Sequence, residues 1–217
     1  VEVIQYLYNT FKDDININIQ DNDGNTVFML AARYNTNEKV TEYLCDTFKD
    51  SVDDINEQNN DGSTAFILAV QYNTNVEVIQ YLCDTFKDTL DVNIQNRDGD
   101  TALILAVRYN ANEKIIQCLY DIFKDTLDIN TQNKHGNTAL ILAAQSKTDV
   151  KLLQYLCTTF KNTIDINKKN KHGLTICMFA ARYIKNVEII QYLCDTFKDT
   201  IDINKQNDDG YTTLMLA

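Results

Sequence analysis

All six glycines of this chain stand on one lattice. They are Gly24, Gly62, Gly99, Gly136, Gly173 and Gly210, separated by 38, 37, 37, 37 and 37 residues, and the chain has no proline. Glycine enters positive φ without the penalty that a Cβ imposes. A chain that places it once per period and nowhere else is using it for one recurring backbone conformation. A period of this length marks a supersecondary unit stacked on copies of itself. Such a chain predicts an array with an outer contour for recognition and no deep pocket for chemistry.

The stretch from Asp91 to Lys124 shows what one unit contains. Asp91-Val92-Asn93-Ile94-Gln95 alternates, and Asn96, Arg97, Asp98 and Gly99 then supply turn residues, which predicts a short hairpin-like finger. Ile17, Ile55, Ile129, Ile166 and Ile203 stand where Val92 does. Two residues past each glycine comes a threonine suited to cap a helix: Thr26, Thr64, Thr101, Thr138, Thr175 and Thr212. A first helix follows, Ala102 to about Tyr109 in this copy, apolar nearly all round and so wedged between neighbours. Seven residues after every glycine stands an alanine: Ala31, Ala69, Ala106, Ala143, Ala180 and Ala217. A larger side chain there would force adjacent units apart. Asn110 predicts a left-handed helix end, matched by Asn35 and Asn73, while Lys147 and Ile184 do not fit. Asn112 is the cap expected for a second helix, with Asn37, Asn75, Asp149 and Asn186 as its equivalents. Ile115, Cys118, Leu119 and Phe123 form the core face of that helix.

Composition narrows the functions open to such an array. A formal charge of -11 argues against nucleic acid and anionic membranes, which both need a basic surface. No apolar run reaches the roughly 18 residues of a membrane span. Four of the six cysteines, Cys45, Cys83, Cys157 and Cys194, lie 21 residues after their glycine, within the apolar stripe of the second helix. Helix spacing of about 8–10 Å puts equivalent residues of neighbouring units beyond disulfide reach. Free thiols in a reducing, cytoplasmic setting follow. No Cys-x-x-Cys pair suggests zinc, and no Ser/His/Asp or Cys/His set shares a location, so neither metal, cofactor nor catalytic residue is expected.

The repeated unit resembles the ankyrin repeat. The likeness runs through Asp91-Val92-Asn93, Asn96 to Gly99, Thr101-Ala102-Leu103-Ile104-Leu105-Ala106, and Ile115, Cys118 and Leu119, and it recurs along essentially the whole chain. Two departures stand out against the family's Thr-Pro-Leu-His and its period of about 33. Alanine replaces proline, with Val27, Ile176 and Thr213 in three copies, and Ile or Met replaces histidine. The longer period adds four residues between Leu119 and Asp128, about one helical turn, which predicts a lengthened second helix. The resemblance implies an all-α solenoid with short hairpin fingers between helix pairs. It divides into a partial repeat over 1–23, full repeats over 24–61, 62–98, 99–135, 136–172 and 173–209, and a partial repeat over 210–217. Neither end shows the polar face of a capping repeat, so a fragment of a longer array, or a chain trimmed to its ordered part, is the expectation.

Family resemblance further implies binding of a protein partner on the concave side, through the first helices and fingers, by a monomer without enzymatic activity. At the ends of the first helices lie Arg33-Tyr34, Gln71-Tyr72, Arg108-Tyr109, Gln145-Ser146 and Arg182-Tyr183, a ladder of types enriched in interface hot spots. Against this stands a structural alternative, with each tyrosine covering a joint and each arginine satisfying helix carbonyls. The variable finger tips add Arg97, Lys134, His135, Lys171 and His172 as candidate contacts. From Lys134 to His172 there are seven lysines and two acidic residues, a balance of +5; the remainder carries 13 basic and 29 acidic residues, or -16. This predicts a docking patch for an acidic partner, or else a solvated surface. A structural spacer within a longer repeat protein is the competing function.

Overall fold

The structure, a computed structural model, describes residues 1–110, 113–145, 150–184 and 187–217, with Asn110 described by its backbone alone. Among these residues the regular structure is helical, without strands. In chain order the helices are α1 (Glu2–Phe11), α2 (Val27–Tyr34), α3 (Glu38–Phe48), α4 (Ala65–Tyr72), α5 (Val76–Phe86), α6 (Ala102–Leu105), α7 (Glu113–Phe123), α8 (Ala139–Gln145), α9 (Val150–Thr159), α10 (Ile176–Phe179), α11 (Val187–Thr196) and α12 (Thr213–Leu216). The chain divides into two units, Val1–Arg97 with Lys114–Leu127, and Asp98–Glu113 with Asp128–Ala217.

In the first unit, α2 packs on α4 and α3 on α5. Helix α4 is buried from Ala65 to Val70, as its all-round apolar sequence requires. Each of its large side chains contributes roughly 1.5–3 kcal/mol by leaving water. Thr64 caps α4 by accepting a hydrogen bond from the Ile67 amide at 3.1 Å. Phe28 meets Phe86 edge-on with ring centroids 6.0 Å apart, which ties a first helix to the second helix of the next repeat. In the second unit, α8 packs on α9, on α10 and on the segment after α6. Ala106, Ala143 and Ala180 are buried there, and Ala69 is buried in the first unit, so the repeated alanine is a close-contact residue in four copies.

The first helices differ from expectation at their ends. After α6 the chain continues as a π-helical turn over Ala106–Asn110, and after α10 over Ala180–Ile184, instead of a plain α-helix to Tyr109. A π turn takes more residues per revolution, so Arg108-Tyr109 and Arg182-Tyr183 leave the helix at another angle than an α-helix would give. Asn35 and Asn73 do not adopt the expected left-handed cap. Their φ, ψ pairs of -99°, 106° and -85°, 128° are extended. The reason is visible at Asn73. Its side chain donates to the Ala32 and Asn35 carbonyls of the preceding repeat at 2.9 and 3.0 Å and accepts from the Asn75 amide at 2.9 Å. Asn37 and Asn75 do cap α3 and α5. The equivalent expectations at Asn112, Asp149 and Asn186, with Lys147 and Ser146, lie outside the described residues.

The second helix runs one turn past the family's leucine. Helix α7 continues from Leu119 to Phe123, whose ring is buried, and a hydrogen-bonded turn follows, with the Thr126 and Leu127 amides donating to the Phe123 carbonyl. In α9 and α11 the helix stops one residue short of the matching Phe160 and Phe197, which are still buried.

The fingers are turns rather than strand pairs. Asp91-Val92-Asn93 closes an Asx turn, the Asn93 amide donating to Asp91 Oδ1 at 2.9 Å, so the expected alternation is absent. Val92 is buried and Ile94 half-buried. The next turn holds the glycine at positive φ, 73° at Gly136, where its amide donates to the Asn133 carbonyl at 2.8 Å. Successive fingers are bonded through backbone. Within the first unit the Asn60 and Arg97 amides donate to the Asp23 and Asp61 carbonyls, both at 2.9 Å. Within the second, the Lys134 and Lys171 amides donate to the Asp98 and His135 carbonyls at 2.8 and 3.1 Å.

Candidate functional site

The candidate surface is built on the ends of the first helices and the finger tips. Tyr34, Tyr72, Tyr109 and Tyr183 are 68, 48, 55 and 51 % exposed, so none of them is sealed into a joint. Among the described residues the arginines make no hydrogen bond to a helix carbonyl, and their guanidinium groups lie against aromatic rings. In the first unit, the Arg33 guanidinium lies 5.0 Å from the Tyr34 ring centre and 4.5 Å from that of Tyr72. One cation thus links rungs of two repeats, and half-buried Gln71 stands beside them. Exposed Arg97 pairs with Asp61 at 3.7 Å on the adjacent finger. In the second unit, Arg108 is 5.9 Å from the Tyr109 ring centre and Arg182 is 5.1 Å from that of Tyr183.

Arg108 also binds Asp100, whose side chain is 1 % exposed. Asp100 Oδ1 accepts from Asn133 Nδ2 at 2.9 Å. Burial raises its pKa above the usual carboxylate value, while the Asn133 bond and the Arg108 charge act the other way. Other copies solve this position without charge. Asn25 Oδ1 accepts from Asn59 Nδ2 at 2.7 Å, and Asn137 Oδ1 from Asn170 Nδ2 at 3.2 Å. Leu174 offers no oxygen, and Asn207 Nδ2 is correspondingly buried without a partner.

Four residues predicted from sequence come together in the second unit. A groove of about 330 Å³ is lined by His135, Gln145, His172 and Tyr183, with Asn137, Asn170, Leu174 and Phe179 between them. Phe179 packs against Tyr183 with ring centres 5.0 Å apart and the rings tilted by 43°. Lys134 and Lys171 are exposed at the tips that carry the two histidines. Sequence reading missed Asn137, Asn170, Leu174 and Phe179. Their signal was available, since each stands at a fixed offset from its glycine, beside residues already singled out.

A second group went unrecognised as well. Asn56 Nδ2 donates to the Thr89 carbonyl and Asn93 Nδ2 to that of Thr126, while Asn130 and Asn167 reach Thr163 and Thr200, all at 2.7 Å. These asparagines brace each finger base against the next repeat.

A larger groove of about 470 Å³ lies in the first unit against α1, lined by Ile4, Leu7, Phe11, Ile15, Ile17, Val27, Leu44 and Phe48, with Asn16 as its polar residue. It lacks groups that would orient a reacting ligand. Among the described residues, no cluster of three His, Cys, Asp or Glu could hold a metal ion, and no helix is long and apolar enough to cross a membrane. The six cysteines are free, five of them buried and Cys194 half-exposed. Burial pushes the Cys45, Cys157 and Cys177 thiols up to about 12. At Cys83 the hydrogen bond shared with Cys118 raises the pKa first, and burial second.

Comparison with known proteins agrees with this geometry. A profile of ankyrin repeats (three copies) matches residues 1–91 and 84–170. The ankyrin repeat domain of Bcl-3, a member of the IkappaB protein family, superposes with a TM-score of 0.76 at 21% identity, over 100% of this chain and 88% of that one. EF0377, an ankyrin repeat protein, gives 0.69 at 23%, over 88% and 89%. A chain in the complex of the Bdellovibrio bacteriovorus predatory endopeptidase Bd0816 with immunity protein Bd3460 gives 0.64 at 22%, over 91% of each. No curated protein is significantly similar in sequence. Ankyrin repeats are generally protein–protein interaction modules. Helix pairs, capping threonines, finger glycines and the matched profile together place this chain in the ankyrin repeat family.

Proposed function

We propose that this chain is a non-enzymatic recognition module that binds a partner protein on the face formed by its first helices and finger tips, the concave face in the family. The observation that carries this reading is the set of exposed tyrosines held by arginines. A ring left about half in water is available to a partner, and a guanidinium over it limits its motion beforehand. Preordered aromatic side chains lose little entropy on binding, which is why they anchor interfaces. The complex of Bd0816 with an immunity protein supports the reading by analogy, since a chain of that assembly shares the fold. A cytoplasmic setting fits the buried free thiols.

The test is capture of a partner by the immobilised chain, compared with the Tyr34→Ala/Tyr72→Ala and Tyr109→Ala/Arg182→Glu variants. The expected outcome is loss of the captured protein in at least one variant while circular dichroism is unchanged. Equal capture by all three chains would move the interface to another face. No specific capture by the wild type would favour a spacer.

A further inference from the structure

We propose that the groove between the His135 and His172 fingers binds a short acidic peptide segment that presents one aromatic or large aliphatic side chain. This deepens the proposed function and rests on it. The groove has an apolar wall made by half-buried Phe179, which packs at a tilt against Tyr183, and by buried Leu174. Its rim is polar and open to a ligand. Asn170 Oδ1 is occupied by the His172 and Leu174 amides at 2.9 and 3.1 Å. The imidazoles and the Gln145 carboxamide make no hydrogen bond among the described residues, so they can meet a peptide backbone or a carboxylate.

Charge selects the occupant. Lys134 and Lys171 stand exposed beside the two histidines, Lys168 and Lys169 precede them on the second finger, and Arg182 lies against the Tyr183 ring. The four lysines have no carboxylate within ion-pair distance among the described residues. A cationic strip of this kind, on a chain otherwise at -16, attracts a carboxylate-rich segment and holds it by several weak contacts.

Its width is also set. The Lys134 finger adjoins Asp98, and the Lys171 finger adjoins Asp208, which a Cβ at Gly173 would meet at 2.5 Å. The strip is therefore two fingers wide. At about 10 Å per repeat it spans about 20 Å, the reach of about six extended residues. A longer polyanion runs into the flanking aspartates, which disfavours nucleic acid.

The experiment uses the full 217-residue chain and fluorescein-labelled hexapeptides, read by anisotropy at low and moderate salt. The probes are Asp-Glu-Phe-Asp-Glu-Asp, its Asn/Gln counterpart, the acidic peptide with Phe replaced by Ala, and a single-stranded oligonucleotide of six phosphates. We expect saturable binding of the first peptide, weakened by salt, and weaker binding of the other three. Lys134→Glu/Lys171→Glu should weaken it by about tenfold or more, whereas Lys161→Glu, on the exposed turn that follows α9 and outside the groove lining, should leave it unchanged. Phe179→Ala should weaken only peptides that contain Phe; because it can also loosen packing, the lysine reversal decides the matter. Absent binding, equal binding of the uncharged peptide, equal or tighter oligonucleotide binding, or indifference to the lysine reversal would each overturn the proposal. Tyr34→Ala/Tyr72→Ala separates the two readings. Peptide binding that survives that variant while partner capture is lost leaves the groove standing, and the reverse pattern leaves only the module.

Discussion

Gly136 and Gly210 share a backbone angle but not a neighbourhood. Their φ values are 73° and 82°. A Cβ at Gly136 would lie 2.5 Å from the Lys171 amide nitrogen, whereas one at Gly210 would meet no atom within 4 Å. Gly210→Ala should therefore cost only the left-handed strain, about 1–2 kcal/mol. Gly136→Ala should cost clearly more, because it also pries two fingers apart; urea denaturation of both variants checks the order. Asp100 gives a prediction about pH. Its folded pKa is raised above 3.8, chiefly by burial, so the folded state holds its proton more tightly than the unfolded chain. The stability it contributes is complete below the unfolded value and is lost as pH rises through the folded one. Asp100→Asn, which installs the residue found at Asn25 and Asn137, should remove that decline. At neutral pH it should leave stability within about 1 kcal/mol of wild type or improve it. Denaturant midpoints measured from pH 4 to 7 would test this, and parallel profiles for variant and wild type would refute it.

Within the helix pair, the lengthened second helix adds a buried aromatic to each full repeat, at Phe48, Phe86, Phe123, Phe160 and Phe197. Phe123→Ala should cost about 3–5 kcal/mol, as for other buried aromatic truncations. Ala106→Leu should cost about 1–3 kcal/mol, since the alanine is fully buried where neighbours meet. Thermal unfolding of each variant measures both. Elements of this kind were legible in sequence because their causes are local or strictly periodic. Threonine caps, the apolar first helix, the repeated alanine and Phe123 one turn past Leu119 all follow from spacing. What spacing cannot convey is a bond between residues a whole period apart. Asn73 looks like a helix end until its amide is seen on the carbonyls of Ala32 and Asn35. Asn93 looks like part of a strand until it is found bracing Thr126. The π turns after α6 and α10 likewise have no marker in their residues. At the groove the fixed offsets single out the residues, but not that two fingers and two first helices turn them toward one cavity.

Across the whole chain, burial is uneven, and this governs chemistry as well as stability. Helix α1 has no buried residue and α12 buries only Thr213, while α4 is sealed over six positions. Amide hydrogen exchange should be fast in α1 and α12 and slow in α4, since local opening costs least where few contacts are lost. The thiols should follow the same map. Cys194 is the one left half-exposed, so a thiol reagent at neutral pH should modify it first and reach the other five only on unfolding. Each of four finger tips is tied to the one before it by a main-chain bond, from the amides of Asn60, Arg97, Lys134 and Lys171; side chains add to it at two of them, Asn60 Nδ2 on the Asn22 carbonyl at 3.0 Å and Arg97 on Asp61 at 3.7 Å. At Lys134 and Lys171, where the main chain makes the bond, the side chain is consequently a passenger on its own attachment. Evolution or an engineer can exchange it, even reverse its charge, and the scaffold will hold the replacement in the same place, so a lineage of such chains can change what it recognises without relearning how to fold.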